Sequence, residues 1–152
     1  MKSDQHWIEQ LVRLARDIPR VGRARLASCM VHKGSVVAWG FNSMKSHPLA
    51  QRFSKNSDAI FLHSEVDCIR NAVKVLEPRE LVRSTLYTAR VKQVSSIDRR
   101  MVHGLARPCA GCARAITAFN IGRAVWTLDN EGFTCTHEKA LTDSNSDARL
   151  AA

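Results

Sequence analysis

Residues 61–68, FLHSEVDC, leave an apolar run and enter a helical pattern, with His63 and Glu65 two positions apart at the boundary. A second stretch, RPCAGC at 107–112, places two thiols three positions apart behind a proline. Zinc takes imidazole nitrogen and thiolate sulfur at about 2.0–2.3 Å, and catalytic sites commonly use three protein ligands with the fourth position open. His63, Cys109 and Cys112 supply that count if the two stretches act on one ion. Two cysteines three apart share one side of a helix's first turn, where free N–H groups and the positive dipole end stabilise thiolates. Pro108 helps fix the entry to that turn. Glu65 falls in the first turn of the helix that follows His63, so it can enter the same cavity as a proton shuttle and not as a ligand.

Working outward, Val66, Ile69, Val73 and Leu76 repeat at helical spacing from Ser64 to Leu76, and Pro78 closes the run. STLYTARV, from Ser84, is rich in β-formers, a charged and irregular stretch covers 92–106, CAGCARAITAFN suits a helix, and IGRAVWTL suits a buried strand. Upstream, SDQHWIEQLVRLARDI at 3–18 places Trp7, Ile8, Leu11, Val12, Ala15 and Ile18 on one helical face, with Ser3 or Asp4 as N-cap and Pro19 beyond its end. LASCMVHKGSVVAWGF reads as a hairpin turning at Lys33-Gly34-Ser35, and 42–62 as one long polar loop. Helix, hairpin, helix, strand, helix and strand predict a three-layer α/β/α sandwich, with helices on both faces of one sheet. The tail TDSNSDARLAA is expected to be disordered, leaving one domain over 1–140 and a tail over 141–152.

With 152 residues and 45% hydrophobic content the chain can bury one sizeable core. No stretch approaches the roughly 18 apolar residues of a membrane span, and MKSDQHWIEQ is too polar for a signal peptide, so a cytoplasmic protein without membrane contact is expected. Cysteines at 29, 68, 109, 112 and 135 form an odd set, which argues for reduced thiols and against a disulfide framework. A net charge of +9 favours phosphate-bearing ligands, whether nucleotide, RNA or DNA, and equally serves to solvate the surface.

The order H-x-E followed by P-C-x-x-C is the signature of zinc-dependent nucleobase deaminases. On HSE at 63–65 and PCAGC at 108–112 the chain resembles the cytidine and deoxycytidylate deaminase superfamily, from about Leu26 to Leu128. WGFN at 39–42 looks like the family's second strand with its asparagine, and LYTARV at 86–91 like its third. The resemblance implies a mixed central sheet of about five strands, a zinc ion, a sugar contact from Asn42 and a base contact from the backbone at Ser64. Two features depart from the family. Residues 92–106 intervene before the cysteine motif, and Ser64 replaces the usual alanine, adding a hydroxyl near the base.

The expected reaction is hydrolysis of the exocyclic amine of cytosine in a free nucleoside or nucleotide, with deoxycytidine monophosphate as first choice. Glu65 takes a proton from water, delivers it to the ring nitrogen and then protonates the departing amine. His47, in the loop beside Asn42, is a candidate substrate contact, and Phe61 and Tyr87 are candidates for lining the base pocket. Lys45, Arg52, Lys55 and Arg107 could provide a field for a 5′-phosphate, while Arg114 reads as solvated. A homo-oligomer is expected. The competing readings are a deaminase of cytosine or adenine in a polynucleotide, and a non-catalytic, zinc-stabilised nucleic-acid-binding module with Cys68 or Cys135 as fourth ligand. Aromatics make up only 6% of the chain, too few for the stacking platform a strand usually requires, which favours the small substrate. Cys68, five residues past His63, is expected in the core.

Overall fold

The structure is a computed structural model and describes residues 2–18, 24–53, 61–129 and 133–136. The predicted tail at 141–152 lies outside the described residues, as do Pro19, Lys55 and the side chain of Cys135.

Helix α1 (Asp4–Asp17) begins at Ser3, whose hydroxyl accepts from the His6 N–H at 3.2 Å and so satisfies one of the free donors of the first turn. Its apolar face, Trp7, Ile8, Leu11, Val12 and Ala15, is buried. Strands β1 (Ala24–His32) and β2 (Ser35–Phe41) form the predicted hairpin. Lys33 and Gly34 at its turn have φ of 51° and 74°, the left-handed pair that matches strand twist. Strand β3 (Ser43–Ser46), helix α2 (Pro48–Phe53) and strand β4 (Phe61–Leu62) follow, and β3 pairs with β4 in a small separate sheet. The stretch expected as one long loop thus carries three short elements.

Helix α3 (Ser64–Ala72) ends before the turn at 73–75, and Pro78 opens a further short helix, α4 (Pro78–Leu81), at its first position. Strand β5 (Thr85–Gln93) is the centre of the sheet, flanked by β1 on one side and by β7 (Arg123–Thr127) on the other, after helix α5 (Ala110–Ala118). The main path is β2-β1-β5-β7-β8, with β8 (Phe133–Thr136) at the far edge. Only β5 and β7 run parallel, so the sheet is mixed, as expected. Residues 92–106, expected to be irregular, instead extend β5 to Gln93 and return as β6 (Met101–Gly104). Strand β6 pairs with Arg90–Gln93, where the partnership of β5 with β7 has already ended at Thr88.

Alternation along the strands assigns the two cores. Ala27, Cys29 and Val31 of β1 and Tyr87, Ala89 and Val91 of β5 pack with α1. Met30 and Leu86 join the opposite core with Ile69 of α3 and Ile116 of α5. Leu11, Ile69, Leu86 and Ile116 are fully buried, and each contributes roughly 1.5–3 kcal/mol by leaving water. Helix α3 lies directly on β2 at Gly40, where a Cβ would stand 2.2 Å from the Ser64 carbonyl oxygen and 2.3 Å from the Cys68 nitrogen. That backbone contact fixes where the first turn of α3 sits over the sheet.

Candidate metal centre and active site

Two helix starts converge over the sheet face opposite α1. His63 is the N-cap of α3 and Cys109 the N-cap of α5. The Cys109 sulfur accepts from the Cys112 N–H at 3.4 Å, so the first turn of α5 is closed by one of the candidate ligands itself. His63 Nδ1 stands 3.4 Å from Cys109 Sγ and 3.3 Å from Cys112 Sγ. Tetrahedral zinc with ligands at about 2.0–2.3 Å places its donor atoms roughly 3.5 Å apart, so the three side chains already have the spacing of a zinc site. Among the described residues they are the one such group of ligating side chains, and no fourth joins them. Cys68 is instead fully buried in the core, with its thiol donating to the Ala38 carbonyl at 3.7 Å.

The chemistry of the donor set fits a divalent cation. Without one, the three groups share protons. The Cys109 thiol is drawn down to about 4, chiefly by hydrogen bonding from Cys112 and then from His63. His63 is raised to about 9, chiefly by its hydrogen bond to Cys109, and Cys112 is raised, chiefly by its hydrogen bond to Cys109 and then by burial. A dication supplies the positive charge that those protons otherwise provide, and zinc is the ion that an open set of one imidazole and two thiolates suits.

Glu65, in the first turn of α3, is 3% exposed and outside the ligand group. Burial pushes its carboxyl above the usual carboxylate range. Beside it lies a cavity of about 380 Å³, lined by His63, Ser64, Glu65 and Cys109. That volume is within the usual range for small-molecule sites. Asn42 and Phe61 are also on its wall, and Asn42 Oδ1 accepts from the Leu26 N–H at 3.2 Å.

Other expected contacts are corrected. Tyr87 belongs to the α1 side of the sheet, where its hydroxyl donates to Asp4 at 2.6 Å, so it does not line the cavity. His47 turns back on its own chain, accepting from the Leu49 N–H at 3.1 Å at the start of α2, and with Arg52 it borders a separate surface depression. Ser64, expected to meet a base through its backbone, does line the cavity, and its hydroxyl donates to Glu65 at 2.7 Å and accepts from Ser28 at 2.9 Å. Of the four proposed phosphate-facing cations only Arg107 lines the cavity, Lys45 and Arg52 do not, and Lys55 lies outside the described residues. Arg114 is half-buried and donates to the Phe53 carbonyl.

Arg90 was missed. It sits on β5 between buried Ala89 and Val91, yet it lines the cavity, and its Nε is buried with no hydrogen-bond partner among the described residues. The signal was present in LYTARV, where an arginine interrupts an otherwise buried strand and shares the parity of Leu86 and Thr88, which face the site. The β5–β6 hairpin also leads the chain back to Leu105 and Ala106, which form part of the wall.

A model of the family described as the cytidine and deoxycytidylate deaminase zinc-binding region matches residues 1–128. The fold is similar to that of dCMP deaminase from the cyanophage S-TIM5 in apo form, at 18% identity and a TM-score of 0.55, covering 87% of this chain and 89% of that one. It is also similar to cytidine deaminase from Burkholderia pseudomallei, at 16% identity and a TM-score of 0.60, covering 92% and 96%. No curated protein matches the chain by sequence.

Proposed function

The chain belongs to the cytidine and deoxycytidylate deaminase family, and we propose that it hydrolyses the 4-amino group of cytosine in a free nucleoside or nucleotide, deoxycytidine monophosphate first among them. The observation that carries this reading is the meeting of His63, Cys109 and Cys112 as one ligand group, with His63, Cys109 and a buried Glu65 outside that group on one cavity. Zinc held by the three ligands supplies Lewis acidity, which lowers the pKa of water toward about 7. Glu65 accepts the proton released as the water oxygen forms its bond to C4 and passes that proton to the ring nitrogen. It then takes the proton of the new C4 hydroxyl and gives it to the amine as the C–N bond breaks, so that the C4 carbonyl forms and ammonia leaves with uracil remaining on the sugar. Helix α3 holds ligand and shuttle two residues apart, so the carboxylate stays close to the ion with no metal duty of its own.

Two arginines support a phosphorylated substrate. Arg90 and Arg107 are both on the cavity wall, and the Arg90 Nη1 reaches only the Leu105 carbonyl, at 3.4 Å. A guanidinium on a cavity wall presents a fixed fork of donors that phosphate oxygens accept from. The cavity also offers little to a strand. Phe61 is its one aromatic, and Phe53, the aromatic of the neighbouring segment, is packed edge-on against Phe119.

The test is ammonia release from deoxycytidine, deoxycytidine monophosphate and a cytosine-containing oligonucleotide. The monophosphate is expected to be the best substrate, and Arg90→Ala to raise its KM roughly tenfold while changing that of deoxycytidine little. Clear preference for the oligonucleotide overturns the assignment to a free nucleotide.

A further inference from the structure

Beneath the first turn of α3 a row of residues crosses the sheet. Gly40 on β2, Ser28 on β1 and Thr88 on β5 are direct cross-strand partners. Gly40, lacking a side chain, lets the α3 backbone descend onto the row, and the two hydroxyls beside it are sealed from water, with Ser28 0% and Thr88 2% exposed. The Ser28 hydroxyl bonds to both neighbours, Thr88 at 2.9 Å and Ser64 at 2.9 Å, and Ser64 in turn donates to Glu65 Oε1 at 2.7 Å. A hydroxyl has one proton to give. Ser64 gives its proton to the carboxyl oxygen, so Ser28 must donate to Ser64, and Thr88 must donate to Ser28. The chain therefore runs in one sense only, from Thr88 through Ser28 and Ser64 to Glu65.

The geometry points to a positioning role for Ser64, Ser28 and Thr88 as a buried hydroxyl chain that holds Glu65 by Oε1 and reserves Oε2 for proton transfer. None of the three need touch the substrate through its side chain. A carboxylate on two rotatable bonds beyond Cβ samples several rotamers unless something fixes it, and a donor fixed by a second donor does so at low conformational cost. Bonds in a chain of aligned hydroxyls also strengthen one another, so the far end at Thr88 is felt at the carboxyl. The serine at 64 is the feature in which this chain departs from the motif it resembles, and the structure gives its added hydroxyl a partner on each side. The inference rests on the reading of Glu65 as the proton shuttle.

The experiment compares Thr88→Val, which keeps the shape and loses the donor, with Thr88→Ser, which keeps the donor. Ser64→Ala serves as the direct break. In the zinc-loaded protein, Ser64→Ala is expected to lower kcat roughly tenfold with KM within about twofold, and Thr88→Val to lower it roughly threefold, a loss that Thr88→Ser does not show. The second readout needs no substrate. The side-chain carboxyl carbon resonance of Glu65, assigned by its disappearance in Glu65→Gln, should move in Ser64→Ala and Thr88→Val and stay in place in Thr88→Ser. An unmoved resonance in both breaking variants overturns the positioning role whatever the protein's substrate, and wild-type kcat in Ser64→Ala does the same. Absence of cytosine deamination in the wild type, with the resonance shifts as expected, contradicts the proposed reaction and leaves the hydroxyl chain standing.

Discussion

His63 and Cys109 each stand one residue before a helix, and that placement explains why an imidazole and two thiols can sit within bonding distance of one ion on a protein of net charge +9. The free N–H groups and positive ends of two short helices offset the negative charge of thiolates where no other anion-binding group is required. Replacing one ligand should therefore remove the metal: Cys109→Ala is expected to lose its zinc in elemental analysis and to unfold at lower denaturant, since ion binding and folding are coupled. Zinc retained in full would show that Cys109 is not a ligand. The candidate ligands were legible because Cys109 and Cys112 share one side of a first turn and the paired motifs H-x-E and P-C-x-x-C join them to His63, with Glu65 two residues beyond. Tyr87 and His47 were not, for different reasons. Period-two alternation separates Tyr87 from Leu86, Thr88 and Arg90, but parity does not say which face carries the site until α1 is seen to occupy the other. His47 is claimed by the local N–H of Leu49, a competition that a loop sequence does not display.

At the scale of elements, two contacts set the geometry. The first is α3 on β2. Gly40→Ala must push apart the backbone at Ser64 and Cys68, and a cost of about 1–3 kcal/mol in urea unfolding is expected, together with a loss of turnover larger than that of a surface substitution. Wild-type stability in that variant would mean that the two elements have room to spare. The second is α1 against the far side of the sheet, joined at its start by Asp4, which accepts from Tyr87 at 2.6 Å and pairs with Arg123 at 2.7 Å. Hydrogen bonding to Arg123, foremost, holds the Asp4 carboxyl below its ordinary 3.8. A depressed acid stabilises the fold above its unfolded pKa, and that contribution is lost as pH falls below about 4. Asp4→Asn should thus be less stable than wild type by about 1 kcal/mol at pH 7, with the gap closing toward pH 3 in thermal unfolding. A gap that stays constant with pH would place the effect elsewhere. The hairpin, helices α1, α3 and α5 and the central strands were readable from local period, whereas α2, α4, β3, β4 and β6 were not. Each of these three strands is two to four residues long and exists through pairing with a distant segment, β3 with β4 and β6 with β5, information that no local window holds.

Over the whole molecule, one face of a mixed sheet is sealed by α1 and the other is opened by two helix starts meeting above a row of small and hydroxyl-bearing residues. Among the described residues no helix is long and apolar enough to cross a membrane. Among the described residues two arginines, Arg90 and Arg107, line the cavity, while Lys45 and Arg52 do not. The extra hairpin of 92–106 gives the cavity part of its wall and leaves the ligand set untouched. The proposed ligand His63 and the proposed shuttle Glu65 are separate groups at the start of one short helix, and the account depends most on that separation. The direct test is turnover by zinc-loaded Glu65→Gln on deoxycytidine monophosphate, with the metal content of the same sample measured alongside. The account predicts a variant that keeps one zinc per chain and its fold while releasing ammonia at least roughly 100-fold more slowly than wild type. Turnover near the wild-type rate, with zinc in place, would contradict it.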